Sequence, residues 1–299
     1  MIDDSTIRLM AFAELKRRVA VHGTTLSWAQ IAPTFRVQDE ELYLAGRARG
    51  IFKPNQMKRG ALSIRTPVPR EGRSRRYVDI KTEDSLYYSF QGEDPNSGDN
   101  QRLKETMEDQ SPLIYFFGVS EGVYEAIFPV YISHWDPKML RVEISIAAAP
   151  GGAVPSGRLK EDERKYRVRE VQERIHQSAF RELVLNAYGG KCALSGLPVR
   201  TLLTAAHIYP DGHEKGLPEV SNGIALSALH HTAYDTKLIG ISPDYRVEVS
   251  ERLFSQTDGP LLEGLKALHG NIMRLPREPE LRPSREALAF RFDEFMSAR

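Results

Sequence analysis

Cysteine is almost absent from this chain of 299 residues, because Cys192 is its one thiol. A single cysteine excludes an internal disulfide. It is the usage typical of a protein from a reducing cytoplasm, which is the location we predict.

Long apolar runs and strong net charge are also missing. No run reaches the roughly 18–20 residues of a membrane span, so no membrane association is expected. The N-terminal MIDDSTIRLMAFAELKRR is acidic and then amphipathic, and it lacks the basic start and apolar core of a signal peptide. A net charge of +1 provides no global basic field, so any nucleic-acid surface must come from local clusters.

The length and the composition, with 41% hydrophobic and 27% charged residues, predict two globular domains. Residues 6–21 have the spacing of an amphipathic helix. Residues 35–145 contain recurrent strand-like segments with Gly, Pro, Asn and Asp between them, and one helix at 100–109. This pattern predicts a β-rich domain, a curled sheet or barrel with one or two helices.

The stretch AAAPGGAVPSGR is small, rich in Pro and Gly, and without periodicity, which is typical of a linker. The predicted class is therefore α+β, with a first domain at 1–147, a linker at 148–158 and a second domain at 159–299.

The second domain begins with helical periodicity that runs to Tyr188 and stops at a Gly-Gly pair. The segments after it predict a strand in LLTAAHI, a strand in GIALS, a helix in ALHHTAYD, a strand in ISPDYRVEVS and last helices in GPLLEGLKALH and PSREALAFRFDEFM.

Four of the eight histidines, His207, His213, His230 and His231, lie between Tyr188 and Asp235. A hairpin with a helix laid across it can bring a strand histidine and a helix histidine to one place. One imidazole can then accept a proton from water while the other holds a cation, as a metal-assisted hydrolase requires. The alternative is that these histidines are ordinary surface or core residues.

Three motifs carry a resemblance to the HNH nuclease family: His207 in AAHIYP, Asn222 in SNGIALS and His231 in LHHTAYD. The similarity extends over about residues 164–249 and implies a ββα-metal nuclease fold. It makes His207 the general base, Asn222 a positioning residue and His231 a ligand of Mg²⁺ or Mn²⁺. Asp235 follows His231 by four residues, on the same helical face, and either binds the metal, reaches it through water or caps the site.

Two departures from that family stand out. Many members place an acid or a second histidine before the general base as a metal ligand, and here that position is Ala206. The ion would then be completed by phosphate and water, or Asp235 or Asp211 would substitute. Some members also bind a structural zinc through paired CxxC motifs, but CALS offers one thiol, so no structural zinc is expected.

The first domain carries a basic stretch, RTPVPREGRSRR, followed by tyrosines and acids. Together with GIFKP, ALSIRT, YVDI, YYSFQGEDPNSGDNQRL and PLIYFFGVSEGVYEAIFPVYI, placed before an HNH region, it resembles the SRA-HNH modification-dependent restriction endonucleases. The resemblance implies an SRA/PUA-like barrel whose pocket takes a modified base between aromatic rings. The pocket candidates are Tyr77, Asp79 and Tyr87, with Tyr88 as the candidate of opposite strand phase; sheet packing is the alternative for each tyrosine.

Arginines in the basic stretch and on the helix before the hairpin are candidates for phosphate contact, namely Arg73, Arg75, Arg76, Arg174 and Arg181. The alternatives are a solvated stretch and pairing with nearby acids along the helix.

These patterns predict a modification-dependent DNA endonuclease of the restriction type. Its substrate would be double-stranded DNA containing 5-methylcytosine or 5-hydroxymethylcytosine. One site per chain predicts that cutting both strands takes a homodimer or two proteins that meet on DNA. The alternatives are an HNH nuclease that recognises unmodified sequence or a protein, a DNA-binding protein that has lost catalysis, for which Ala206 is the supporting feature, and a regulator whose barrel binds a nucleotide.

Overall fold

The structure is a computed structural model that describes residues 2–68, 81–82, 85–146, 161–257 and 259–298. The chain divides into two compact units, Met1–Ser178 and Ala179–Arg299. The predicted linker at 148–158 lies outside the described residues, as do the site candidates Arg73, Arg75, Arg76, Tyr77 and Asp79.

The first unit combines a curled sheet with three helices and the first part of a fourth among the residues described, which confirms the predicted α+β class. Its helices are α1 (Asp4–His22), α2 (Trp28–Ile31) and α3 (Gly98–Glu108). Its strands are β1 (Thr25–Ser27), β2 (Phe35–Val37), β3 (Glu40–Leu42), β4 (Ile51–Phe52), β5 (Ser63–Thr66), β6 (Lys81–Thr82), β7 (Ser85–Ser89), β8 (Leu113–Ser120), β9 (Val123–Asp136) and β10 (Arg141–Ile146).

The described part of the large sheet has the order β4-β5-β8-β9-β10-β7-β6, and β1 also pairs with β9. Strands β5 and β8 are parallel, whereas the other neighbours are antiparallel. The two halves of the long strand β9 pair with different neighbours, and register shifts in its ladders bend the sheet.

Helix α1 packs one face onto this sheet through Ile7, Ala11 and Leu15, all fully buried. The same helix buries Arg18, whose guanidinium donates to the carbonyl oxygens of Gln30, Ile31 and Pro33. Those carbonyls lie at the end of α2, where a helix leaves acceptors without internal partners. The buried arginine therefore satisfies the end of a helix that has only one turn.

The second unit contains the C-terminal end of a long helix, two hairpins and the last helices. The elements are α4 (Glu161–Ala187, which begins in the first unit), β11 (Leu203–His207), β12 (Gly223–Ser227), α5 (Ala228–Asp235), β13 (Ile239–Ile241), β14 (Val247–Val249), α6 (Glu251–Phe254), α7 (Pro260–Lys266) and α8 (Arg285–Ser297). Gly189 and Gly190, with φ of 62° and 68°, end α4 as predicted.

The core of this unit joins α4, both hairpins, α5 and α8 around Val184, Ile224, Tyr234 and Leu288, each at most 2% exposed. The strand predicted in ISPDYRVEVS is present but shorter, because it is confined to β14 at the end of that segment. The chain turns between Ser242 and Arg246, and Tyr245 has a φ of 64°. The alternating apolar residues therefore belong to two short strands, β13 and β14, rather than to one.

Among the described residues, no helix is both long and apolar enough to cross a membrane.

Candidate active site

The site is built on the β11–β12 hairpin and on α5, which follows β12 without a connecting loop. In the ladder His207 pairs with Gly223 at the end of the hairpin that carries the connecting loop. At the other end Ser227 caps α5, and its side-chain oxygen accepts from the backbone N–H of His230. The bounds of β12 and α5 match the predicted segments GIALS and ALHHTAYD, and β11 is one residue shorter at each end than LLTAAHI.

The imidazole of His207 lies against the ring of Phe180 on α4, with 4.0 Å between centroids and 14° between planes. Gly223 leaves the room for this stack. A Cβ there would lie 2.4 Å from Cγ2 of Val184 and 2.9 Å from Cζ of Phe180. The glycine after Asn222 is therefore required by packing, since its φ of −130° is open to any residue.

Burial lowers the pKa of His207 below its ordinary value of 6.5. The carboxylate of Asp211 opposes this shift, the charge of His231 adds to it, and Asp235 opposes it. The balance leaves His207 neutral near pH 7, in the form that accepts a proton.

His231 is held at both ring nitrogens. Its Nδ1 lies 2.8 Å from Oγ1 of Thr204, and its Nε2 lies 3.1 Å from Oδ2 of Asp235. The Thr204 hydroxyl donates to the carbonyl of Leu226, so it accepts from Nδ1–H of His231. Nε2 is therefore the nitrogen that faces Asp235, and a metal ion bound there would replace the proton through which Nε2 donates to the carboxylate.

Asp235 lies one helical turn after His231, as predicted, and is half exposed. The hydrogen bond to His231 lowers the pKa of its carboxyl, although burial opposes that shift, and the charge of Arg291 lowers the pKa further. Arg291, from the last helix α8, lies 3.0 Å from Oδ1 of Asp235.

The pair His231 and Asp235 fits one edge of a divalent-ion site. Two ligands at right angles around Mg²⁺, each at about 2.1 Å, are roughly 3.0 Å apart. The observed separation of Nε2 and Oδ2 is 3.1 Å. Within the described part of the chain, no group of three or more His, Cys, Asp or Glu side chains converges. A metal here would thus take most of its ligands from water and phosphate.

Ala206 is fully buried in the core. Its strand neighbours Ala205 and His207 are partly exposed, on the other side of the hairpin. An acid at position 206 would be placed among apolar side chains and away from His207. The alanine is therefore explained by packing, and it no longer supports a loss of catalysis.

Asn222 is 5% exposed and fixes the chain that follows His207. Its Oδ1 accepts from the N–H of Tyr209 at 2.8 Å, while its Nδ2 donates to the carbonyls of Tyr209 and Leu217. The contacts support a positioning role in which Asn222 fixes the loop, since all of these partners are backbone atoms of the loop after β11.

The neighbouring His230 points into the core, as its position on the helix predicts. Its Nδ1 lies 2.9 Å from the Ser227 hydroxyl and 3.3 Å from the sulfur of Cys192. The backbone N–H of Ser227 also donates to that sulfur. Burial raises the pKa of the Cys192 thiol, but these hydrogen bonds and others from Ser195 outweigh it and bring the pKa to about 6. The cluster ties the start of α5 to the chain before the hairpin.

Two of the predicted phosphate contacts, Arg181 and Arg174, lie on α4, and their surroundings differ. Arg181 donates to Glu182 and to the carbonyls of Arg200 and Leu203, so the protein itself uses its guanidinium to hold the start of β11. Burial lowers the pKa of Arg181. Arg174 is partly buried, and its Nε has no hydrogen-bond partner among the residues that the structure describes.

In the first unit Tyr87 and Tyr88 face opposite sides of β7, as their strand phase predicts. Tyr88 is 4% exposed and packs edge-on against Tyr115. Tyr87 is partly exposed, and the guanidinium of Arg141 lies 3.9 Å from its ring centroid. Tyr87 is therefore the accessible member of the pair.

Sequence reasoning did not identify Phe180, Thr204 or Arg291. Thr204 lies three residues before His207 in the same strand, so the local sequence contained the information that places it near the site. Phe180 lies on another helix, 27 residues before His207 in the chain. Arg291 also lies on another helix, 56 residues after Asp235. Nothing in the motif indicates them.

Comparison with protein-family models matches residues 192–242 to an HNH endonuclease model. The matched segment contains His207, Asn222, His231 and Asp235. A comparison with curated protein sequences gave no match. Among solved structures, the chain is similar to one described as a modification-dependent TagI restriction endonuclease, at 14% identity and a TM-score of 0.32, over 79% of this chain and 82% of that one.

Proposed function

We propose that this chain, which carries an HNH endonuclease domain at residues 192–242, is a modification-dependent DNA endonuclease. Its C-terminal unit hydrolyses phosphodiester bonds, with His207 as the general base and His231 and Asp235 as ligands of Mg²⁺ or Mn²⁺. Its N-terminal unit recognises 5-methylcytosine or 5-hydroxymethylcytosine in double-stranded DNA.

The observation that carries the nuclease half is the environment of His207. Stacking on Phe180 and partial burial keep its imidazole neutral and fix its plane. A neutral imidazole near a phosphodiester can accept the proton of an attacking water. Asn222 holds the loop after this residue, so the base is fixed from both sides.

His231 and Asp235 would hold the ion, since Thr204 directs one imidazole nitrogen away and leaves the other beside a carboxylate oxygen. A divalent ion bound there supplies electrostatic stabilisation of the charge that grows on the phosphate and on the leaving oxygen. Arg174 remains a candidate for phosphate contact, whereas the contacts of Arg181 make it a structural residue.

The specificity for modified cytosine is supported by the sequence motifs of the first domain and by the accessible ring of Tyr87. A partly exposed aromatic residue with a stacked guanidinium provides a flat surface and a positive charge at one place. Such surfaces suit a base removed from its stack.

Digestion of matched duplexes tests both halves. The duplexes carry cytosine, 5-methylcytosine or 5-hydroxymethylcytosine at the same positions, with Mg²⁺, Mn²⁺ or a chelator. We expect cleavage of a modified duplex, dependent on the ion, and little cleavage of the unmodified one. Equal cleavage of all three would retain the nuclease and refute the specificity, while no cleavage of any DNA with either ion would refute the nuclease.

A further inference from the structure

The last helix, α8, reaches the candidate metal site through Arg291. We propose that Arg291 is a positioning residue, which holds the carboxylate of Asp235 so that one oxygen faces Nε2 of His231. The inference rests on the proposed function, since it concerns the ion that His231 and Asp235 would bind. It assigns a role in the nuclease to a helix outside the matched segment 192–242.

Arg291 is fixed by three contacts. Its Nη2 lies 3.0 Å from Oδ1 of Asp235, its Nη1 lies 3.1 Å from Oε2 of Glu294, and its guanidinium lies 5.2 Å from the ring centroid of Tyr234. Its side chain is only 13% exposed, whereas that of Asp235 is 51% exposed. The buried arginine therefore sets the orientation of a carboxylate that would otherwise rotate in solvent.

The two carboxylate oxygens of Asp235 have separate partners. Oδ1 faces Arg291, and Oδ2 faces Nε2 of His231. An ion bound at Oδ2 and Nε2 would leave the contact of Oδ1 with Arg291 in place. Outer partners of this kind orient metal ligands, and their loss commonly lowers metal affinity by about 10-fold to 100-fold.

The positive charge of Arg291 would by itself disfavour a nearby cation. Glu294 offsets that charge directly, and it is also 3.6 Å from Lys237. Replacing the arginine by lysine keeps the charge and removes the planar fork that spans Asp235 and Glu294. The lysine variant therefore separates geometry from charge, which a neutral replacement would not do.

Arg285 on the same helix provides a matched control. Its guanidinium pairs with Asp244 at 2.8 Å and lies 5.1 Å from the ring centroid of Tyr245, so it repeats the Asp and Tyr contacts of Arg291. Both partners belong to the β13–β14 turn rather than to the site. Arg285→Lys thus reproduces the chemical change without touching Asp235.

The test is a Mn²⁺ titration of the full chain, followed by electron paramagnetic resonance, with and without a duplex DNA. All proteins carry His207→Ala, so that the DNA stays uncut. We expect Asp235→Asn to abolish the site, Arg291→Lys to weaken Mn²⁺ binding by roughly 10-fold, and Arg285→Lys to leave it unchanged. The thermal unfolding midpoint of each variant checks that the chain is folded.

Equal Mn²⁺ affinity in the Arg291→Lys and Arg285→Lys proteins, while Asp235→Asn loses the ion, would overturn this inference alone. If the parent protein binds no Mn²⁺, and Asp235→Asn gives the same result as the parent, the metal assignment of the proposed function is overturned as well. If Arg291→Lys does not fold, Glu294→Gln removes the other partner of the arginine. A smaller loss of Mn²⁺ affinity is then expected, and an unchanged affinity refutes the inference.

Discussion

The rings of Phe180 and His207 lie parallel, 4.0 Å apart between centroids, with one ring on a helix and the other at the end of a strand. Phe180 covers one face of the imidazole and removes it from water. This contact explains why the pKa of His207 is lowered, because a charged imidazole loses more by desolvation than a neutral one. It also fixes the plane in which the ring can accept a proton.

Replacing Phe180 by leucine should change the pH dependence of cleavage. The base acts when neutral, so cleavage falls as the pH drops through the pKa of His207, which lies below 6.5. Exposing the ring moves this pKa upward, so the acid limb of kcat/KM should move to higher pH. We also expect a loss of about 1–3 kcal/mol in the free energy of unfolding.

The matched control is Phe295→Leu, a buried phenylalanine of the same unit that packs elsewhere. It should lower stability without moving the acid limb. An identical pH profile in the Phe180→Leu and wild-type proteins would contradict the role of the stack.

The Gly223→Ala substitution should displace His207 indirectly, through the ring on which it stacks. The added Cβ would lie 2.4 Å from Cγ2 of Val184 and 2.9 Å from Cζ of Phe180, in a fully packed core. Overpacking of this kind costs about 1–3 kcal/mol, and it displaces the ring against which His207 lies. Val184→Ala in the same chain should recover part of both stability and cleavage, which thermal unfolding and cleavage rates would measure. No recovery would indicate that the clash is not the cause.

Asn222→Asp tests the fixing of the loop. A carboxylate can accept from Tyr209 but cannot donate to the carbonyls of Tyr209 and Leu217. Leaving buried acceptors without partners costs about 1–3 kcal/mol. We expect a lower kcat and faster amide hydrogen exchange at Ile208 and Tyr209, while the exchange of β13 stays unchanged. Wild-type exchange in the loop would refute this role.

The two tyrosines of β7 should separate recognition from stability. Tyr87→Ala removes a partly exposed ring, so it should weaken binding of modified DNA with little effect on the unfolding midpoint. Tyr88→Ala removes a buried ring and should cost about 3–5 kcal/mol. Binding and calorimetry on both variants would check this. Undiminished discrimination in Tyr87→Ala would remove that residue from the pocket.

The local part of the site could be predicted from the sequence. Apolar runs, cap residues and the spacing of His207, Asn222, His231 and Asp235 are short-range features. Strand β12 and helix α5 have the predicted bounds, and β11 is one residue shorter at each end. The different directions of His230 and His231, about 100° apart around the helix, also follow from helix geometry.

The rest depends on contacts between distant parts of the chain. Arg291 meets Asp235 across 56 residues, and Phe180 reaches His207 from another helix. No periodicity or motif in the sequence predicts such a long-range contact. The turn between Ser242 and Arg246 was missed for a different reason, because its turn-forming residues Pro243 and Asp244 were read as part of a strand pattern.

The most direct test of the account compares the wild-type chain with His207→Ala on the DNA that the wild type cuts best. With Mn²⁺ present, we expect the substitution to lower the cleavage rate by about 10²-fold to 10⁴-fold while DNA affinity and the unfolding midpoint are retained. Cleavage by His207→Ala at the wild-type rate would contradict the assignment of this imidazole as the general base.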